Sequence, residues 1–440
     1  MGDLPIAAWM FPALFALVFL GLPVSLCLIV TAFAFGFVFV GAPVGNQFHN
    51  GLVGVASNFV LAAIPLFVFM GALLERTGIA RLLFDAVRLL LGRLPGGLAL
   101  TTVVMCAIFA ASAGVVGAVE VVVGLMAVPA MMQAGYKKDL AAGTVCAGGS
   151  LGTTIPPSIV VVIYASIADI SIGDLYAGMI IPAGVMVGLF VVYILVRCTL
   201  DRSAGPGLDP REFAMPFMAK AGIVLKALVP ATALIVAVLG SIFAGVASPT
   251  EAAAVGALGA LVLSLAYRTL NWTTLIEALR STILISSMVL LIVMGGVMFT
   301  GVFVLTGGSQ LVRETVSHYQ LSPMAIVALF LLIIFVLGFV LDWISIVLIT
   351  IPIFTPMVKA AGIDPIWFGV MTCIVIQTSY LTPPMAPSIF YLRAIAPKDM
   401  TYMDMYKGVM PFIFAQLLTL AAVILFPESA TWLPDVLFGF

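Results

Sequence analysis

From Leu4 to Leu74 the chain contains no Asp, Glu, Lys or Arg. A run of that length holds three or more membrane crossings at about 20 residues each. Further charge-free runs cover 94–119, 140–168, 175–196, 227–250, 281–312, 315–341, 365–392 and 408–426. They amount to roughly 11 to 14 hydrophobic segments, not all of them full spans. In lipid every backbone polar group needs a partner within the protein, so segments of this kind fold as helices. With 63% hydrophobic and 8% charged residues, against about 25% charged in soluble domains, the expected class is an all-α polytopic membrane protein.

Several functions are disfavoured at once. The formal net charge of -1 gives no electrostatic footprint for nucleic acid. No GxxxxGK[ST] is present, so ATP hydrolysis by this chain is not expected, and HExxH and CxxC are also missing. His49 and His318 stand alone. Cys27, Cys106, Cys146, Cys198 and Cys373 lie scattered in apolar runs and read as small buried hydrophobes. The apolar N-terminal stretch lacks a basic n-region and outruns a short h-region, so it does not read as a removable signal peptide.

The most polar stretch, 197–226, mixes both charge signs with Gly and Pro and reads as a loop between two halves. This gives expected units of 1–200 and 227–440, with a linker at 201–226. In 75–97, Arg76, Arg81, Arg88 and Arg93 interleave with apolar residues. That pattern fits an amphipathic helix in the membrane interface or an ordinary surface helix. The two halves share a pattern. Pro129 pairs with Pro356, Gly135 with Gly362, Pro156 with Pro383 and Pro157 with Pro384, each 227 residues apart. Two halves with the same Pro-broken hydrophobic segment are a mark of secondary transporters. There the interruption places free carbonyls and helix N-termini near the midplane, and inverted repeats are favoured.

The first break, "GGSLGTTIPPSI" (148–159), offers Ser150, Thr153, Thr154 and Ser158 as hydroxyls. Gly149 and Gly152 permit close backbone approach, and Pro156 and Pro157 remove amide donors and free upstream carbonyls. Carbonyl and hydroxyl oxygens without a carboxylate suit a weakly held sodium ion. The other reading is a kinked or re-entrant turn whose hydroxyls bond back to the backbone. The second break, "IVIQTSYLTPPMAPSIFYLRA" (374–394), presents Gln377, Thr378, Ser379 and Thr382, with Pro383 and Pro384 at its centre and Tyr380 available to line a cavity. Arg393 reads either as an anion-attracting group or as a snorkelling end-of-helix residue. Among the intramembrane acids, Glu251 reads as first-turn Glu behind a Ser248 or Thr250 cap. Asp342 is open to three roles: sodium ligand, proton carrier or half-helix cap. Glu120 lies between apolar runs, and Ser57 and Asn58 are weaker candidates ahead of Pro65.

The segments "AAIPLFVFMGALLERTGIARLL", "GRLPGGLAL", "PAMMQAGY", "GGSLGTTIPPSI", "GVASPTEAAAVGALGAL", "IPIFTPMVKAAGIDPIWFGV" and "LTPP" together resemble one family. It is the large membrane subunit of tripartite ATP-independent periplasmic (TRAP) transporters, the dicarboxylate-permease M family, and the likeness spans about 4–430. The resemblance implies an ion-transporter-superfamily fold with two inverted repeats, a scaffold and an elevator-like transport region. It also implies two re-entrant hairpins with tips near 150–157 and 377–384. By the same resemblance Ser150, Thr153, Thr154, Gln377, Thr378, Ser379 and Arg393 are substrate candidates. The sodium candidates are Gly149, Ser150, Gly152, Pro156, Ser379, Thr382, Pro383 and Asp342. Sodium would be the coupling ion, with no other cofactor. The implied partners are a periplasmic solute-binding protein, a small four-helix membrane subunit as a separate chain and an organic acid anion (dicarboxylate, 2-oxo acid or sugar acid). The implied location is the bacterial inner membrane. The chain departs from the family where Val115 and Val116 replace customary hydroxyls. Two other readings stay open: an autonomous ion-coupled organic-anion carrier or antiporter of the same superfamily, and a non-transport scaffold or enzyme subunit.

Overall fold

A computed structural model describes residues 6–113, 116–208, 216–318, 320–383 and 386–439. The charge-free runs fold as helix, interrupted at the Pro- and Gly-marked breaks. The chain opens with α1 (Ala7–Phe19), α2 (Val24–Phe35, prolonged by the π-helical Gly36–Val40), α3 (Val44–Ala56) and α4 (Ala63–Arg76, entered through a 3-10 turn at Phe59–Ala62). Next come α5 (Ile79–Leu91), α6 (Gly97–Ala113), α7 (Val116–Gln133), α8 (Lys138–Ser150), α9 (Ile159–Ala168) and the long α10 (Ile172–Leu200). The second half holds α11 (Phe217–Phe243), α12 (Pro249–Ala266), α13 (Trp272–Leu305), α14 (Gly308–His318) and α15 (Pro323–Leu337). It closes with α16 (Trp343–Ala360), α17 (Pro365–Leu381), α18 (Pro387–Ile395), α19 (Tyr402–Leu425) and α20 (Glu428–Phe438). Among the described residues, 7 helices are long and apolar enough to cross a membrane. The chain is a polytopic all-α membrane protein.

Helix starts follow local chemistry. Ser322, Asp342 and Asp364 accept backbone N–H bonds from the first turns of α15, α16 and α17, and Pro323 and Pro365 open two of these helices. Ser248 forms a capping box with Glu251 at the start of α12, which gives Glu251 the structural role expected of it. Asn58 caps the turn leading into α4 and donates to Ser166 Oγ at 3.0 Å.

The spacing of 227 governs element order as well as prolines. Adding 227 to the bounds of α7 gives those of α16, and the first residue of α8 and the last of α9 map onto those of α17 and α18. The packing follows the same correspondence. Helix α2 packs on α13 while its counterpart α12 packs on α4, and α7 packs on α18 while α16 packs on α9.

The polar stretch after α10 differs from expectation, because helix resumes at Phe217, inside the expected linker. The reason is compositional: once past Pro216 the sequence is apolar with only spaced lysines, a helix-forming pattern. Residues 201–208 fold back onto the first half. Gly96 N–H donates to Gly205 O at 2.8 Å, Lys137 N–H to Ala204 O at 3.0 Å, and Lys137 Nζ pairs with Asp201 at 2.5 Å. Helix α5 is amphipathic as expected. Its Ile79, Leu83, Phe84 and Val87 are buried, and the helix packs on α6 and α11.

Candidate functional site

Each break joins two helices. Helix α8 ends at Ser150, a 3-10 turn (Leu151–Thr153) follows, and the chain passes Pro156–Pro157, a cis peptide, before Ser158 opens α9. Helix α17 ends at Leu381, and α18 begins after Ala386, whose φ of 37° lies in the left-handed region. Pro384 lies outside the described residues. The two broken elements interlock: α8 packs on α18, α9 on α17, and the 3-10 turn on α17.

The tips meet through side chains. Gln377 Nε2 donates to Ser150 Oγ at 3.1 Å, and Thr154 Oγ1 donates to Gln377 Oε1. Ser150 and Gln377 are the same position of the two halves, 227 apart. The candidates Ser150, Thr153, Thr154, Ser158, Gln377, Thr378 and Ser379 are all buried. An arrangement of so many buried polar atoms is stable only if each has a partner, and most do. Thr153 donates to Ser150 O, Ser158 to Thr153 O, Thr378 to Ile374 O, Ser379 to Ile376 O and Thr382 to Thr378 O, at 2.7–3.0 Å. A hydroxyl that gives its proton to its own backbone turns lone pairs outward, which is cation chemistry and not anion chemistry. Ser150 is different. It donates to Ala147 O at 2.8 Å and accepts from both Gln377 and Gln416, so it is a link in the network and has no lone pair left for a ligand.

A cavity of about 460 Å³ adjoins the tips. Ile159 and Pro387, the first helical residues after each break, line one side with Tyr380 and Asp342; Ser25 and Met288 line the other. A larger cavity of about 620 Å³ beside Asn58 and Ser166 touches neither break, so the smaller one is the candidate. None of the described residues around the smaller cavity is Lys, Arg or His. Positive potential there has to come from helix N-termini or a bound cation. No group of three or more His, Cys, Asp or Glu gathers as a metal site among the described residues.

Comparison with known proteins decides the family. Residues 11–429 match the family described as "Tripartite ATP-independent periplasmic transporter, DctM component". The chain belongs to the DctM family. It is the large permease component of a TRAP-type transporter, a multi-pass inner-membrane protein whose work is transport and not catalysis. It is 31% identical over 388 residues to the C4-dicarboxylate TRAP transporter large permease protein DctM of Pseudomonas aeruginosa, covering 87% of this chain and 88% of that one. It is 29% identical over 426 residues to the sialic acid TRAP transporter large permease protein SiaM of Vibrio cholerae, covering 96% and 97%. Identity to the ectoine TRAP transporter large permease protein TeaC of Halomonas elongata is 31% over 380 residues, covering 86% and 87%. In fold the chain resembles the Alcanivorax borkumensis YdaH transporter, with a TM-score of 0.62, 15% identity and coverage of 96% and 100%.

For two candidate residues of this DctM-family permease the geometry matches one of the alternatives the sequence left open. Of the three roles open to Asp342, the geometry matches the cap. Its carboxylate accepts from Ile344 N, Ser345 N and Ser345 Oγ, all in the first turn of α16, while lining the cavity beside Tyr380. Arg393 is not brought to the tips: it donates to Met400 O at 2.7 Å and lies over the Tyr402 ring. That matches the end-of-helix alternative. Sequence reading missed Gln416, which donates to Ser150 at 3.3 Å, and Tyr176, which donates to Ser158 O at 3.2 Å. Both lie in unbroken helices without a local motif, so only the fold brings them to the tip.

Proposed function

We propose that this permease imports an organic acid anion, coupled to sodium, through the junction of the two hairpin tips. The anion is a dicarboxylate, 2-oxo acid or sugar acid handed over by a periplasmic solute-binding protein. A small four-helix membrane subunit completes the complex as a separate chain. The observation that carries the reading is the pattern of buried and half-buried hydroxyls. Those of Thr153, Ser158, Thr378, Ser379 and Thr382 give their protons to backbone carbonyls and so present oxygen lone pairs. Hard monovalent cations are held by such oxygens. A cavity free of basic side chains then acquires positive potential for a carboxylate once sodium is bound, aided by the N-termini of α9 and α18. Sodium therefore binds first and completes the anion site.

The halves act as inverted repeats, with the α8–α9 and α17–α18 hairpins carried by a transport region. That region moves against a scaffold containing α2, α4, α12 and α13. The exchange of packing partners at a constant spacing of 227 supports this view. The names of the relatives, C4-dicarboxylate and sialic acid among them, support the substrate class. The test is uptake by the reconstituted complex across a panel of carboxylates in sodium and in choline. Uptake of one acid class in sodium and none in choline is expected. Equal uptake in choline refutes the coupling.

A further inference from the structure

The junction contains an acid that the tip network does not use. Glu120, on α7, is 0% exposed, and neither carboxylate oxygen has a hydrogen-bond partner. The Ser388 hydroxyl, at the start of α18, is also buried without a partner. Among the described residues, Ser388 and the Cys146 thiol on α8 are the polar side chains near enough to act on the carboxyl, and no basic group acts on it. The backbone is shaped around this acid. A Cβ added at Gly149, in the last turn of α8, would lie 2.6 Å from Glu120 Cβ and 2.9 Å from its Cγ. Gly149 thus lets α7 approach α8 closely, so that Glu120 reaches the region where α7, α8 and α18 converge. One turn earlier on α7, a Cβ at Gly117 would meet the Tyr391 ring at 2.8 Å, and both residues line the cavity wall. The carboxyl is therefore one helical turn behind that wall.

An uncompensated carboxylate in such surroundings is costly, and as placed neither of its oxygens nor the Ser388 hydroxyl is within hydrogen-bond distance of a partner. A bound cation answers both deficits, because it neutralises the charge and takes the free lone pairs of three oxygens at once. Cys106 on α6, Cys146 on α8 and Tyr380 on α17 are the titratable groups acting with Glu120. None of them can supply positive charge. The charged side chains of α5, Arg81, Asp85 and Arg88, lie against the Leu125–Gln133 end of α7.

We propose that Glu120 and Ser388 form a further sodium site, distinct from the tip hydroxyls, that ties α7 to the first turn of the second hairpin. Backbone carbonyls at the end of α8 complete its shell. A carboxylate ligand makes this site bind sodium more tightly than hydroxyls alone, so it fills first and fixes α18 against α7. The inference rests on the reading of the hairpins as a sodium-coupled site, and one experiment separates the two.

Sodium binding to the purified complex is measured with radioactive sodium ion alone, by stoichiometry and affinity, in wild type, Glu120→Gln and Ser388→Ala. Glu120→Gln is expected to bind one sodium fewer per chain. Ser388→Ala is expected to keep the stoichiometry with about tenfold weaker affinity, as for loss of one contact to a charged group. Ser388→Ala removes a single small hydroxyl, so it tests the site even if Glu120→Gln fails to assemble. If the variants that assemble bind as wild type does, while wild-type uptake stays sodium-dependent, this site is refuted and the functional reading stands. If wild type binds no sodium, both fall.

Discussion

Helices α8 and α19 cross with their backbones in contact at Gly143 and Gly408. A Cβ added at Gly143 would lie 2.0 Å from Gly408 O, and one added at Gly408 would lie 2.1 Å from Asp139 O. Ordinary contact begins near 3.4 Å, so Gly143→Ala forces the helices apart by about 1.4 Å at the crossing. No flexible side chain can yield there, because the obstructing atom is backbone. Overpacking typically costs about 1–3 kcal/mol. A clash with a carbonyl, in the most extensively packed helix pair among the described residues, belongs at or above about 3 kcal/mol. Small residues at such crossings are what allow helices to associate in lipid.

The same displacement reaches the tip. Ser150 is two turns beyond Gly143 on α8, and Gln416 is two turns beyond Gly408 on α19; the pair is joined at 3.3 Å. Separating the helices lengthens that bond and leaves the buried Gln416 amide nitrogen without its acceptor, beside Gln416 Oε1, which already has no partner. Gly143→Ala should therefore lower the thermal midpoint of the purified protein, followed by tryptophan fluorescence, and should lower uptake by the protein that survives. Gly184→Ala on α10 is the control, because nothing lies within 4 Å of its added Cβ. It should leave the midpoint unchanged or raise it slightly through helix propensity. If Gly143→Ala and Gly184→Ala melt together with wild type, the backbone contact at the crossing is wrong, and so is the claim that it positions Ser150.

Gln377→Leu removes the donor to Ser150 and the acceptor for Thr154 while keeping the volume. It should cost about 2 kcal/mol in tip order and raise the sodium concentration for half-maximal uptake. Arg393→Ala should leave the substrate KM within about twofold, as expected for a side chain with no contact to the ligand; a loss of about tenfold or more would place Arg393 in the substrate site. At the surface, the Lys137 ammonium holds Asp201 down to about 2 from its ordinary 3.8. A depressed carboxylate stabilises the fold above its unfolded value, and that stabilisation fades as pH falls through the folded value. The thermal midpoints of wild type and Asp201→Asn should therefore differ near neutral pH and converge between 3.8 and about 2. Salt should shrink the difference, because the ion pair is open to solvent. A gap that persists to the acid end would contradict the pairing.

The helical membrane class was legible because the absence of charge over long runs leaves lipid as the only suitable solvent. The caps were legible too, since Ser248 with Glu251 is a local pattern. Span count was less so: charge-free length counts hydrophobic segments, whereas helices such as α8 and α9 stop short at Gly and Pro. Long-range partners were out of reach, because nothing near Gln416 or Tyr176 distinguishes it from any other polar residue in a helix. Glu120 shows the limit in another way. Its burial was readable, but the close approach at Gly149 that isolates it is a property of the α7–α8 crossing.

The repeat itself explains which residues announced it. Pro and Gly recur at a spacing of 227 because they fix backbone shape. Gly135 and Gly362, for example, both turn the chain at positive φ, 78° and 70°, a conformation other residues resist. Side chains at equivalent positions carry no such constraint, and where they touch each other identity is a disadvantage. Ser150 and Gln377 meet directly. Two serines would be too short to span the gap, and two glutamines would overfill it. A hydroxyl opposite a carboxamide gives one donor to one acceptor in each direction once Thr154 joins. The positions nearest the junction of the halves are thus the ones where sequence similarity should vanish first.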